Sequence, residues 1–284
     1  MTPELRDRLS PFRGKAIARG IPGEDVERWL GLARPCATLG QGGDGEVVGR
    51  FGGPLWLPPG VEQPFHPFVA ALDFAALPIG ATDLPLPPDG QLLLFAVPED
   101  DGDYGSRGSA VYLPAGAEVE ERDRYAWGLA GIEEYRRMVE AFPQGELRAT
   151  VDVSLPYHRA VELTGEPWSE PLPGHPRAGE LVEVWDEVRG DVASWGPLQL
   201  GGYASEEAVY TDPVAGVVLC AREEAKAGRW DGPVSDDVAD WVLLADWSPG
   251  IEGREGATVH WAIQRADLVA RRFERTFTTV YWNP

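Results

Sequence analysis

Trp241-Val242-Leu243-Leu244-Ala245-Asp246-Trp247 decides how the chain reads, because a second stretch echoes it: Phe68-Val69-Ala70-Ala71-Leu72-Asp73-Phe74. Both begin and end on an aromatic residue, and both carry an aspartate one place before the end. Side chains alternate between the two faces of a strand. Alternation puts Phe68, Ala70, Leu72 and Phe74 on one face, and Trp241, Leu243, Ala245 and Trp247 on the matching one. Asp73 and Asp246 then fall on the opposite faces, among Val69, Ala71, Val242 and Leu244.

Two further matches flank the pair in the same order. Arg50-Phe51-Gly52-Gly53 is answered by Gln199-Leu200-Gly201-Gly202-Tyr203, and Gly90 to Ala96 by Gly256 to Ala262. Three matches in one order predict a duplicated unit. The expected fold is α+β and strand-rich, with two pseudo-repeated, sheet-containing halves packed as one globular unit with peripheral helices. On this reading 1–36 is a helical N-terminal segment, 37–165 the first pseudo-repeat and 166–284 the second.

Helices are expected over 3–18, 22–33, 130–142 and 178–188, with a short one around 266–270. The second has Val26, Trp29, Leu30 and Ala33 on one stripe and acids in its first turns. Gly40 to Gly45 matches the spacing GxGxxG, but a dinucleotide fingerprint needs a strand before and a helix after. Val47 to Arg50 reads as a strand, so the glycines read as a loop. The acidic tip Glu99 to Asp103 lacks the ligand spacing of a calcium loop and reads as a solvated turn. Gly165 to Pro176 reads as an irregular surface segment, the best seam in the chain.

The chain of 284 residues has a net charge of −21. Residues 1–36 carry seven basic against five acidic side chains, a net +2, which leaves −23 for the rest. Such a surface repels phosphates and favours a basic protein partner, so no nucleic acid is expected. No run approaches the roughly 20 apolar residues of a membrane helix, and the charged N-terminus is no signal peptide. Cys36 and Cys220 read as free thiols of a cytoplasmic protein. His66, His158, His175 and His260 show no metal-ligand spacing, and CxxC, GxSxG and P-loop patterns are absent. No metal and no cofactor are expected.

At these residues the sequence resembles the YwqG-like family, whose biochemical function is not established. The likeness rests on Arg50 to Gly53, Phe68 to Pro78, Leu86 to Phe95, Gln199 to Tyr203, Trp241 to Asp246 and Gly256 to Phe273. Together they span about residues 45–282. The family pattern has a glutamine two places before each strand aspartate, where this chain has Ala71 and Leu244. Some relatives accompany toxin–immunity gene clusters, which implies a protein partner.

Candidate binding residues are Arg50, Gly52, Gly53, Asp73, Gln199, Gly201, Gly202, Tyr203, Asp246 and His260. The glycine pairs suit positive φ or close backbone approach, and equally a ligand lying on exposed amides. Asp73 and Asp246 either cap turns and pair with arginines such as Arg50 or Arg272, or meet in one cleft for acid–base work. Trp241, Trp247 and Trp261 read as packing, and Trp56, Trp168, Trp195 and Trp230 as loop residues open to surface contacts. The leading expectation is a non-catalytic cytoplasmic protein that binds a basic partner, immunity-like in manner. The alternative is a small-molecule-binding protein or hydrolase with a cleft between the halves.

Overall fold

The computed structural model describes residues 2–99, 105–162, 169–205 and 211–282. The chain opens with α1 (Pro3–Asp7), α2 (Ser10–Ala18) and α3 (Gly23–Leu30). Strands β1 (Arg34–Gly40), β2 (Val47–Phe51), β3 (Leu55–Leu57), β4 (Phe68–Asp73), β5 (Gln91–Ala96), β6 (Gly108–Leu113) and β7 (Glu120–Arg122) follow. Then come α4 (Glu133–Glu140), β8 (Gly145–Ser154), β9 (Ala160–Glu162), β10 (Ser169–Pro171) and α5 (Ala178–Val192). The last stretch holds β11 (Leu198–Leu200), α6 (Pro213–Lys226), β12 (Trp241–Trp247), β13 (Ala257–Gln264), α7 (Arg265–Val269) and β14 (Phe277–Trp282). No helix among the described residues is long and apolar enough to cross a membrane.

Ten strands form one antiparallel sheet in the order β14-β13-β12-β11-β1-β8-β2-β4-β5-β6. Strand twist accumulates across so wide a sheet, and here the two end strands are brought together. Arg107 N donates to Thr278 O at 2.9 Å, and Thr278 N to Ser106 Oγ at 3.1 Å. The sheet is therefore nearly closed, which removes most of the exposed edge that invites aggregation. Its inner face holds the largest apolar cluster, from Leu39 and Val48 through Leu72 and Leu94 to Trp247 and Trp261. Trp261 Nε1 donates to Phe95 O at 3.1 Å across that interior.

A residue-by-residue comparison of β4 and β12 corrects the expected faces. Each strand contains a bulge against its neighbour, between Phe68 and Ala70 in β4 and between Leu243 and Ala245 in β12. A bulge inserts one residue and reverses the alternation beyond it. Phe68 and Ala71 therefore face outward under the β3–β7 ribbon, with Leu55, Leu57 and Phe95. Trp241 and Leu243 face outward under α6, while Leu244, Ala245 and Trp247 face the interior. Both faces of each strand are apolar because both are covered.

The two regions are also displaced against the sequence echo, and their bulges coincide only when they are matched by hydrogen bonding. Gly52 N donates to Val69 O at 2.9 Å, and Gly201 N donates to Leu244 O at 3.1 Å. The sequence echo aligns Val69 with Val242, two places earlier. Matched by hydrogen bonding, Phe68 corresponds to Leu243 and Ala71 to Asp246. Asp73 then corresponds to Ser248, so the two aspartates occupy different positions. The hydrogen-bond match also brings like faces together, with Val69 and Ala70 answering Leu244 and Ala245 inward, whereas the plain alignment pairs interior Ala70 with outward Leu243.

The N-terminal helices lie on α5 and on the outer ends of β1 and β8, burying Phe12, Trp29, Leu181, Trp185, Val153 and Leu155. The single helix expected over 3–18 is two, with Pro11 in the first turn of α2, where its missing N–H is no loss. Arg8 fixes them to the sheet: its guanidinium bonds the fully buried Asp152 carboxylate, and its Nη1 donates to Val151 O at 2.9 Å. At the GxGxxG spacing a strand leads in, β1, but β2 leads out, and both pair with β8. Of the acidic tip and the proline-rich seam, residues 100–103 and 165–168 lie outside the described residues.

Candidate functional site

Six of the sequence-nominated residues come together. Thr38, Gln199, Asp246 and His260 stand opposite one another across β1, β11, β12 and β13, on the outward face, and all four are buried. Buried polar groups need partners, and here they find them in the backbone of the loop after β11. Gln199 Nε2 donates to Gly201 O at 2.9 Å and to Tyr203 O at 2.7 Å. Tyr203 N donates to Ser154 Oγ at 2.9 Å, and Ser205 N to Asp246 Oδ2 at 2.6 Å. Gly201 and Gly202 take φ of 70° and 73°, and a Cβ on Gly202 would stand 2.9 Å from Cys36 Cβ. The loop needs glycine for conformation and for space. Asp246 Oδ1 and His260 Nε2 have no hydrogen-bond partner among the described residues.

This stapled loop presents Tyr203 to an open cavity of about 510 Å³. Its walls are the loop itself, residues 32–34, the segments 156–161 and 172–175, the start of α6, and residues 236–243. Trp241 and Leu243 line its apolar side, and Arg34, His158 and Asp212 its polar side. Tyr203 donates its hydroxyl to Leu32 O at 2.9 Å, and the Arg34 guanidinium lies 4.6 Å over its ring. Burial raises the Tyr203 phenol above its ordinary range, so it stays neutral. Asp212 caps α6 by accepting from Val214 N at 2.9 Å, and its other oxygen lies 3.6 Å from His158 Nε2. His158, Asp212 and Arg34 were not nominated from the sequence. Asp212-Pro213 ahead of Val214, Val217, Val218 and Ala221 is a helix-start signal that does mark α6.

The other four residues sit elsewhere and apart. Asp73 is half-buried and caps the short turn after β4, accepting from Ala75 N at 3.0 Å. It lies five strands from Asp246 in the sheet order, on an outward face, so the two carboxylates look away from each other and share no cleft. Gly52 and Gly53 take φ of 56° and 76°, and Gly53 N donates to Gln144 Oε1 at 3.2 Å. Gln144 Oε1 also accepts from Arg124 Nη1 at 2.8 Å. Arg50 bonds Pro54 O through Nη2 and lies 5.5 Å over the Phe68 ring, and its Nη1 has no partner among the described residues. Burial first, and Arg124 second, lower its pKa.

Beside this turn the β3–β7 ribbon forms a second exposed feature. Leu55 and Leu57 point inward, which turns Trp56 outward opposite Glu121. Loop 58–66 is tied to the segment 122–128 by Gln63 Nε2 to Asp123 O at 2.9 Å and Gly128 N to Phe65 O at 2.9 Å. Among the described residues eleven large hydrophobics are exposed, and five of them (Trp56, Val61, Phe65, Val119 and Tyr125) fall within 56–65 and 119–125, on the ribbon and the loops beside it. Glu62, Glu118, Glu120, Glu121 and Asp123 are exposed among them. No group of three or more His, Cys, Asp or Glu among the described residues is placed to hold a metal ion.

No family model matches the chain, and no curated protein does.

Proposed function

We propose that the protein works by binding a basic protein partner, with the β3–β7 ribbon and the loops beside it as the contact face. One observation carries this reading: exposed aromatic and aliphatic side chains are gathered on a face framed by five carboxylates. Contiguous exposed apolar surface rimmed by charge is what protein interfaces are made of. The net charge of −21 would steer a cationic partner toward it. Cytoplasmic residence fits the buried free thiol of Cys36. Descent of the two halves from one unit and kinship with the YwqG-like family belong to the same proposal. They are supported by the matching glycine turns and bulges of β2–β4–β5 and β11–β12–β13.

The test is isolation from native cells at low and high salt, with wild-type protein and a Trp56→Ser, Glu121→Lys double variant. Both changes lie on exposed positions, so the fold stays intact. The expected result is a stoichiometric basic partner that salt releases and that the double variant binds at least about tenfold more weakly. A partner held equally by both proteins would remove the ribbon from the interface.

A further inference from the structure

We infer that the cavity between Tyr203, Trp241 and Asp212 binds a small amphipathic cation, an apolar body carrying one amine or guanidinium group. This site lies on the outward face at β12, five strands along the sheet from β4 under the ribbon, and stands or falls independently of it.

The cavity has the features of a ligand site: concave, of about 510 Å³, mostly apolar, with a few converging polar groups. Among the described residues its one lining guanidinium, on Arg34, is already engaged, stacked on Tyr203 and 3.8 Å from Asp83 Oδ2. Three carboxylates of the described residues line it, Asp212, Asp236 and Asp237. Asp236 is neutralised by Arg222 at 2.7 Å, and Asp237 caps a turn through Ala239 N at 2.9 Å. Asp212 differs from the solvent-exposed Asp237 in being half-buried: one oxygen caps α6 and, among the described residues, the other meets only His158, at 3.6 Å, too long for a hydrogen bond. Its carboxylate is the unspent charge of the site. Burial and the nearby Arg28 hold His175 below its ordinary pKa, so that histidine does not cancel it. Tyr203 and Trp241 supply aromatic surface that suits an organic cation or an apolar ring.

The experiment is calorimetric titration with three matched probes: phenethylamine, phenethyl alcohol and phenylacetate. The expected order is the amine about tenfold tighter than the alcohol, a charge-assisted hydrogen bond against a neutral one, with the anion weakest. Asp212→Asn keeps the helix cap, since asparagine caps as well as aspartate, and should bring the amine down to the level of the alcohol. Ala239→Trp, at an exposed lining position, should weaken all three, and it keeps the test standing if the Asp212 variant loses structure. Thermal unfolding of both variants reports their integrity. Equal binding of amine and alcohol, an amine preference that survives Asp212→Asn, unchanged binding by Ala239→Trp, or no saturable amine binding at millimolar concentration would each overturn the assignment.

Discussion

The two echoing regions, β2 to β5 and β11 to β13, share a sequence pattern and a hydrogen-bonding plan, yet the two do not coincide. Each has a glycine turn, a bulged strand and a partner strand, but the aspartates sit two places apart on that common plan. The consequence is a division of labour. Asp246 lies inside its strand, 2% exposed, and holds a loop in place, whereas Asp73 ends its strand and caps a turn at the surface. A carboxylate's role follows from where the ladder puts it.

Substitutions at paired positions should break the resemblance, and the largest effect lies on the Asp246 side. Asp246→Ala removes the acceptor for Ser205 N amid buried Gln199 and His260, and should cost about 3 kcal/mol. Asp73→Ala loses one cap and should cost about 1 kcal/mol. Chemical denaturation measures both. Similar losses would show that the two positions are equivalent after all.

The glycines sharpen the same contrast. A Cβ on Gly202 meets Cys36 and Ser154 close to the backbone, at 2.9 and 3.0 Å, where little can give. A Cβ on Gly52 meets the end of the Gln144 side chain, which can swing away once its bonds to Gly53 N and Arg124 are given up to water. Both positions carry positive φ, costing about 1 kcal/mol each for alanine. Gly202→Ala should therefore cost about 2 to 3 kcal/mol, overpacking included, and Gly52→Ala about 1 kcal/mol. Equal shifts in midpoint would contradict the different surroundings.

A pH dependence belongs to the first-half side. Burial first, then Arg107, pulls His66 down from 6.5 to about 4. The unfolded chain therefore binds the proton at a pH where the folded chain does not, and stability is lost as pH falls from about 6.5 to about 4. The loss reaches at most about 3 kcal/mol, less the solvent screening of a half-buried ring. His66→Gln should flatten this window and leave stability above pH 7 unchanged. A variant that keeps the full slope would assign it to other groups.

How much of this was legible before any coordinates depends on the residue. The strands at 68–74 and 241–247, the helix of α5 and the structural duty of both glycine pairs follow from pattern and conformational preference. The bulges do not. Phe68-Val69-Ala70-Ala71-Leu72 is apolar at every place, so nothing marks where the alternation reverses. Strand β1 was hidden by Pro35, which reads as a breaker, and by the glycines that follow Leu39. Gln199, Tyr203 and Asp246 were nominated as a binding set, and they do assemble, as the scaffold of a loop. The cavity itself draws on six separate segments, and Arg34, His158 and Asp212 share no spacing that a linear reading could detect.

The displacement of two residues is the claim on which these contrasts rest, and cross-strand backbone contacts measured by NMR test it most directly. The account predicts Arg50 opposite Ala71 and Gln199 opposite Asp246. Arg50 opposite Ala71 together with Gln199 opposite Leu244 would restore the plain alignment of the two stretches, make Asp73 and Asp246 equivalent, and contradict it.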